Sequence, residues 1–458
     1  MSMYSKEYRA VCPDYSALHP WQKYGSALET EYRQCLEEGL DIERYQALFS
    51  AVQGMPDNAY REEAADVLYR MIEELPAVPG YPYEEPSDYQ GIAACRDGFT
   101  LPGETPRGEK LREQIAGAWY GRIAGCLLGK PLEGIRREEL LPFLKETGNW
   151  PMHRYVLSSD ITEERLGRYQ YSFWAKAYAD AISEAPVDDD TNYTVLYQQV
   201  IEKYSKDFTP RDVAEAWLAM QPKDAYCTAE RAAFCNFVNG YLPPYSAIYK
   251  NPYREWIGAQ IRGDYFGYIN PGDPEKAAEM AWRDASISHV KNGIYGEMFA
   301  AAMIASAACS KDIPAVIRSG LSQIPQKSRL YEEISEMLQD YEAGVGKEEA
   351  FAKIFTQYDD RRGHDWCHTI SNARIVAGAL LYGGGDFGKS ICMAVETGFD
   401  TDCNGATVGS ALGMMNGIGS IPSCWTDPLH DKLDTEIFGV GTVEIPALIE
   451  MTLRHIGR

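Results

Sequence analysis

The stretch Leu111-Arg-Glu-Gln-Ile-Ala-Gly-Ala-Trp-Tyr-Gly-Arg-Ile-Ala-Gly-Cys-Leu-Leu-Gly129 repeats glycine every four residues, at Gly117, Gly121, Gly125 and Gly129. In an α-helix that spacing places all four on one face. Each glycine costs about 0.8–1.0 kcal/mol of helix propensity relative to alanine, so a row of them needs a compensating contact. Close approach of a second backbone supplies one. A matching row stands far along the chain at Gly405, Gly409, Gly413 and Gly417, with Val408, Leu412, Met414 and Met415 between. The expectation is a structural groove of two helices packed glycine face to glycine face. Alternating strand patterns bounded by turns are nearly absent, so the expected fold class is all-α, with long functional loops.

Each row borders on acids. After Gly129 the run Lys130-Pro-Leu-Glu-Gly134 ends the helix and leaves Glu133 at its mouth. Before Gly405 stands Thr397-Gly-Phe-Asp-Thr-Asp-Cys-Asn404, where Asp400 and Asp402 are two residues apart. A second cluster, Asp188-Asp189-Asp190-Thr191, also opens an amphipathic helix. Acid pairs are common at helix N-caps, where they complement the macrodipole. Two such clusters in one chain also suit a hard cation such as Mg²⁺, Ca²⁺ or Mn²⁺, which takes oxygen ligands.

The first hundred residues read as a separate helical piece, with apolar residues at helical spacing over Gly25–Glu38, Ile42–Val52 and Tyr60–Leu75. The Pro-rich run Pro76–Pro86 cannot continue a helix, and Pro102-Gly-Glu-Thr-Pro106 breaks the chain again. We therefore divide the chain into an N-terminal extension with a Pro-rich linker, residues 1–106, and a main domain, residues 107–458. Within the latter, Gln170–Ile182 and Tyr193–Tyr204 read as helices flanking the acid cluster. Asn236–Pro274 reads as a long aromatic loop, and loops of that length are often binding elements. It holds Gly258-Ala-Gln-Ile-Arg-Gly-Asp264, which makes Arg262 and Asp264 candidate substrate contacts.

With 458 residues the chain has room for an ample core. Acids outnumber bases 67 to 44, and the net charge of −23 disfavours a nucleic-acid grip or an anionic membrane surface as the main partner. The start, Met1-Ser-Met-Tyr-Ser-Lys-Glu-Tyr-Arg9, has no apolar signal core, and the apolar run Met298–Cys309 is too short to span a bilayer. The 11 cysteines include no Cys-x-x-Cys pair, so reduced thiols and a cytoplasmic location are expected.

Three motifs, in order, resemble those of the ADP-ribosylglycohydrolases, the group that contains the dinitrogenase-reductase-activating glycohydrolase. Gly125-Cys-Leu-Leu-Gly-Lys-Pro-Leu-Glu133 is similar to the family's Gly-Asp-x-x-Gly-x-x-x-Glu, Asp188-Asp-Asp-Thr191 to its Thr-Asp-Asp-Thr, and Phe399-Asp-Thr-Asp-Cys-Asn-Gly-Ala406 to its Gly-Asp-Thr-Asp-Thr-Asn-Ala-Ala. Ser286-Ile-Ser-His289 sits where the family often has a Thr-His pair near the substrate. The resemblance covers the chain from about Leu111 onward. It implies an orthogonal bundle of helices whose cleft holds two Mg²⁺ ions, with Mn²⁺ as a substitute, and cleavage of the bond at ribose C1 of ADP-ribose. Carried over by position, Asp189, Asp190, Asp400 and Asp402 are metal ligands, and Asp188 and Cys403, at two positions usually held by threonine, join them as candidate ligands. Glu133 matches the acid that lies by the ribose; with Asp189 and Asp402 it makes the catalytic set, and His289 is a substrate contact. Cys126 stands in place of the first motif's Asp. A thiol at Cys403 is a soft partner for Mg²⁺; alternatively it is only a packed small residue.

The leading function this implies is Mg²⁺-dependent removal of ADP-ribose from a modified acceptor. A nucleosidase or other small-glycoside hydrolase keeps the same chemistry, and the lack of a glycine-rich phosphate loop favours it. A non-catalytic ADP-ribose-binding or crystallin-like protein is the third reading, and the retained acids argue against it. His364 and His368 are four apart, but no third ligand is evident and they read as structural.

Overall fold

The computed structural model describes residues 13–99, 103–173 and 177–457; the stretch Met1–Arg9, read above for a signal, lies outside them. The protein is all-α: among the described residues the strands are a two-residue antiparallel pair, Lys432–Leu433 with Val443–Glu444.

The two glycine rows meet as expected. They lie on helices Gly108–Gly129 and Thr401–Asn416. A methyl built on Gly117, Gly121 or Gly125 would stand 2.3, 2.2 or 2.0 Å from the carbonyl oxygen of Gly413, Gly409 or Gly405. Partner numbers fall as these rise, so the helices are antiparallel. No Cβ fits between them, which is why the propensity cost of glycine is accepted here. Antiparallel pairing also sets the end of the first helix beside the start of the second: Thr401 Oγ1 donates to the carbonyl of Gly129 at 2.9 Å. Glu133 and Asp400–Cys403 are thereby brought to one place.

Helix Asp189–Tyr204 is capped by Asp188, whose Oδ1 accepts from the Asp190 amide at 3.0 Å. Helix Lys291–Ala307, mostly alanine, methionine and aromatic residues, is buried along nearly its whole length. No helix among the described residues is long and apolar enough to cross a membrane.

The N-terminal extension forms helices Leu28–Glu37, Gln46–Gln53 and Ala59–Ile72 around a small core of its own that includes Leu28, Tyr32, Phe49 and Leu68. The stretch after it is non-helical and lies on the main domain: Trp282 Nε1 donates to the Ser87 carbonyl at 2.9 Å, and Glu85 faces Arg329 at 2.9 Å.

Two expectations change. The described part of Gln170–Ile182 is not helical. Its aromatics are drawn instead onto the neighbouring chain, with Phe173 stacked on Phe143 at 4.5 Å and Tyr171 Oη donating to the carbonyls of Pro131 and Glu133 at 2.9 and 2.8 Å. The expected loop Asn236–Pro274 carries helices Tyr245–Ile248 and Asp264–Ile269, and residues 251–271 are buried. Tertiary packing, not local periodicity, decides both segments.

Candidate active site

The two acid clusters, separated by two hundred residues in sequence, converge. Ligand atoms of Asp190, Asp402 and Cys403 lie within 4.8 Å of one another, as do those of Cys126, Asp188 and Asp190. Asp188, Asp190, Asp400, Asp402 and Cys403 are buried, and Asp189 is half-buried. Glu133, at the end of the turn Lys130–Leu132, stands close enough for its charge to raise both Asp189 and Asp402.

Burial, then the neighbouring acids, pushes the carboxyls of Asp189 and Asp402 well above the usual carboxylate range. Asp190 is also held high, because burial outweighs the Arg122 guanidinium beside it. Asp188 differs: Lys130 Nζ donates to its Oδ2 at 2.8 Å and, against burial, holds it low. Its other oxygen is the helix cap already described. Burial and then adjacent acids push the thiols of Cys126 and Cys403 up, which keeps them protonated.

Two cations serve this cluster, and the sequence reading assigned neither. Lys130 is one. The other is the fully buried Arg122, one residue past Gly121 on the glycine helix. Its Nη2 donates to Asp190 Oδ1 at 3.1 Å and to the Asp190 carbonyl at 2.8 Å, its Nε to Thr194 Oγ1 at 2.7 Å, and its Nη1 to Asp264 Oδ2 at 2.7 Å. A lone Arg between small residues in a helix was the available signal: a charge on a buried face requires a buried partner.

The carboxylates still outnumber these cations. Asp190 Oδ2 and Asp402 Oδ1 are buried without a hydrogen-bond partner, a costly state that an added cation relieves. Carboxylate oxygens from two helix starts are hard donors suited to divalent cations, and on that ground the residues fit a metal centre.

The remaining sequence candidates lie deeper than a solvent-facing loop would place them. Arg262 is fully buried; it donates to Asp284 Oδ2 at 2.5 Å, Glu230 Oε1 at 2.7 Å and Ser288 Oγ at 2.8 Å, and faces the Trp217 ring at 4.9 Å. Asp264 stands behind Arg122. His289 is buried, with Nδ1 2.8 Å from Ser288 Oγ, and burial, followed by Arg262, holds its pKa well below the ordinary value. Asn404 Nδ2 donates to Asn372 Oδ1 at 2.8 Å, and the same oxygen accepts from the Asp400 amide at 3.2 Å. A cavity of about 560 Å³ opens beside Phe399, lined by Arg137, Arg361 and Arg362 but also by Glu138, Asp359 and Asp360.

The sequence profile of the ADP-ribosylglycohydrolase family matches residues 107–452. The chain belongs to the ADP-ribosylglycohydrolase family. It is accordingly a glycosidase-type hydrolase, and the family is metal-dependent in general. A solved structure described as an ADP-ribosylglycohydrolase-related protein complex is similar at 17% identity and a TM-score of 0.49, over 76% of this chain and 99% of that one. No curated protein matches.

Proposed function

We propose that this ADP-ribosylglycohydrolase family member cleaves a glycosidic bond to ribose with the help of divalent cations, Mg²⁺ first and Mn²⁺ as substitute, and that an ADP-ribosylated acceptor is its substrate. The observation that carries this reading is the meeting of Asp190, Asp402 and Cys403 within 4.8 Å, with two buried carboxylate oxygens lacking partners. Asp189, Asp190, Asp400 and Asp402 would hold the cations, with Asp188 and Cys403 beside them. Such cations would supply positive charge beside the ribose and would acidify a water. Asp189 or Asp402 would take the proton of a water whose oxygen adds to C1 as the C1–acceptor bond breaks, the proton passing on to the departing acceptor, and Glu133 would lie against the ribose. Lys130 keeps Asp188 ionised. Arg122 fixes the Asp190 carboxylate from behind, and Asp264 acts through Arg122; we assign them positioning roles. We divide the chain at residue 106, with residues 107–458 as the hydrolytic domain.

A second reading, hydrolysis of a simple nucleoside or other small glycoside, has an observation of its own. Gly258–Asp264 is buried, and in the cavity beside Phe399 the acids Glu138, Asp359, Asp360 and Asp365 outnumber the arginines, with Arg361 bound to Asp359 through two bonds of 2.9 and 3.0 Å. Among the described residues, neither element offers a concentrated positive cradle for a pyrophosphate. Incubation with Mg²⁺ and ADP-ribosylated arginine, ADP-ribosylated serine and simple nucleosides separates the readings. Release of free ADP-ribose supports the first and release of free ribose the second. No release from any of them with Mg²⁺ or Mn²⁺ defeats both.

A further inference from the structure

The helix Leu28–Glu37 of the N-terminal extension ends on a carboxylate, although a negative charge at a helix C-terminus opposes the macrodipole. The main domain compensates. Glu37 Oε2 is 3.1 Å from His364 Nε2, 3.4 Å from His368 Nε2 and 3.7 Å from Arg329 Nη1. Two histidines and a glutamate in this arrangement have the composition of a zinc site, and their ligand atoms fall within 4.8 Å of one another. The hydrogen bonds on the far sides of the rings argue otherwise. His364 Nδ1 accepts from the indole N–H of Trp256 at 3.2 Å, and His368 Nδ1 accepts from the Ile370 amide at 3.1 Å. Both donors can only donate, so each Nδ1 keeps its lone pair and the ring proton sits on Nε2. A metal needs a lone pair at Nε2. The His364 N–H instead meets Glu37 Oε2, while His368 Nε2 lies 3.4 Å from Glu37 Oε2 and 3.7 Å from Glu255 Oε2 without a hydrogen bond to either.

The latch bears on the active site through a short series of contacts. His364 and His368 flank the turn that leads into helix Thr369–Gly383. Asn372 on that helix donates to the carbonyls of Trp366 and His368, both at 2.9 Å. Its Oδ1 is the acceptor, described above, for the Asp400 amide and Asn404. Salt bridges hold the extension's helix around the latch: Arg33 with Asp365 at 2.7 Å, Glu31 with Arg254 at 2.8 Å and Glu38 with Lys291 at 3.1 Å.

We propose that Glu37 is a positioning residue of the active site: by its hydrogen bond to His364 and its charge beside His368 it sets the segment 364–368, whose carbonyls hold Asn372, and through Asn372 the backbone of Asp400. The extension is then a working part of the site and not an attached appendage. The inference rests on the acid cluster being the hydrolytic centre, and the test separates the two.

Glu37→Gln keeps the shape and one acceptor oxygen but removes the charge and the second acceptor, and Glu37→Asp keeps the charge. Amide hydrogen exchange is measured on the metal-free full-length chain, and Mn²⁺ affinity by calorimetry on the same samples. In Glu37→Gln, exchange should rise about tenfold in segments 366–372 and 397–404 and stay unchanged in Lys291–Ala307. Mn²⁺ affinity should fall about fivefold. Glu37→Asp should recover part of both, which a general loss of fold would not permit. Exchange at 397–404 equal to wild type overturns the proposal. So does an unchanged Mn²⁺ affinity in a protein whose wild type binds the ion. If the wild type binds no Mn²⁺, the metal reading of the acid cluster falls, and the exchange result alone decides the role of Glu37.

Discussion

Two groups of buried carboxylates lie in the same domain, and they solve the same electrostatic problem differently. Around Arg262, the acids Glu230, Asp284 and Glu297 surround a guanidinium whose donors reach Glu230, Asp284 and Ser288. The surplus is removed by protonation: burial, then Asp284, pushes Glu297 well above the usual range, and burial raises Glu230 to about 7 against the pull of Arg262. At the acid cluster, Lys130 and Arg122 reach Asp188 and Asp190, while Asp189 and Asp402 each stand near Glu133, Asp188 and Asp400. One group carries its counter-ion in the sequence. The other leaves room for a cation from solution. Both groups hold more acids than cations and partnerless carboxylate oxygens; what sets the acid cluster apart is that its donors come from two helix starts, with Asp190, Asp402 and Cys403 within 4.8 Å of one another.

The largest effect expected from this contrast follows removal of the resident cation. Arg262→Met leaves Asp284 and Glu230 buried without their partner and should cost about 3–5 kcal/mol in urea denaturation, with divalent-ion affinity little changed. A loss below about 1 kcal/mol breaks the distinction between the groups.

Next comes the pH dependence. Glu230 has its pKa raised from 4.5 to about 7 in the folded state. The folded protein therefore binds this proton more tightly than the unfolded chain, and the group's contribution to stability declines as pH rises from about 4.5 to 7. The decline amounts to about 3 kcal/mol and is complete above that window. The difference in unfolding free energy between wild type and Glu230→Gln, followed across this window, should show it; a constant difference contradicts the assignment.

At the acid cluster the sign reverses. In metal-free protein, Asp402→Asn relieves repulsion and should unfold no earlier than wild type. With Mg²⁺ at a hundredfold excess over its dissociation constant, wild type gains about 2.7 kcal/mol that Asp402→Asn and Asp400→Asn lose. Calorimetry showing no divalent-ion effect on wild type removes the contrast at its root.

The smallest effect concerns the frame. Gly121→Leu or Gly409→Leu pushes the two glycine helices apart and should destabilise by about 1–3 kcal/mol. Divalent-ion affinity should fall with it, because these helices present Glu133 and Asp400–Cys403. The pH dependence assigned to Glu230 should not change, and a change there links the two groups mechanically.

Much of this was legible in one dimension. Glycine at every fourth residue states a face, and two such faces in an apolar context imply each other. The acids at helix starts were legible as well, since Asp188 and Asp400 take the N-cap positions that their residue type favours. Gln170–Ile182 was misread because its aromatic spacing suits a helix equally well as a segment laid over Phe143. The depth of Arg262 and Asp264 was hidden for a related reason: the proline and glycine signals around them mark irregular backbone, and irregular backbone is usually at the surface.

By itself, then, the sequence determined the helical class, the two glycine faces and the three ordered motifs of the ADP-ribosylglycohydrolase family, all properties written in local spacing and residue type. Tertiary structure alone decided which partner each acid meets: Arg122 for Asp190 and Asp264, Lys130 for Asp188, Arg262 for Glu230 and Asp284, and the neutral His364 and His368 for Glu37. Those pairings join residues tens to hundreds of positions apart. Coulomb attraction and hydrogen bonding depend on distance in space, and no periodicity along the chain records that.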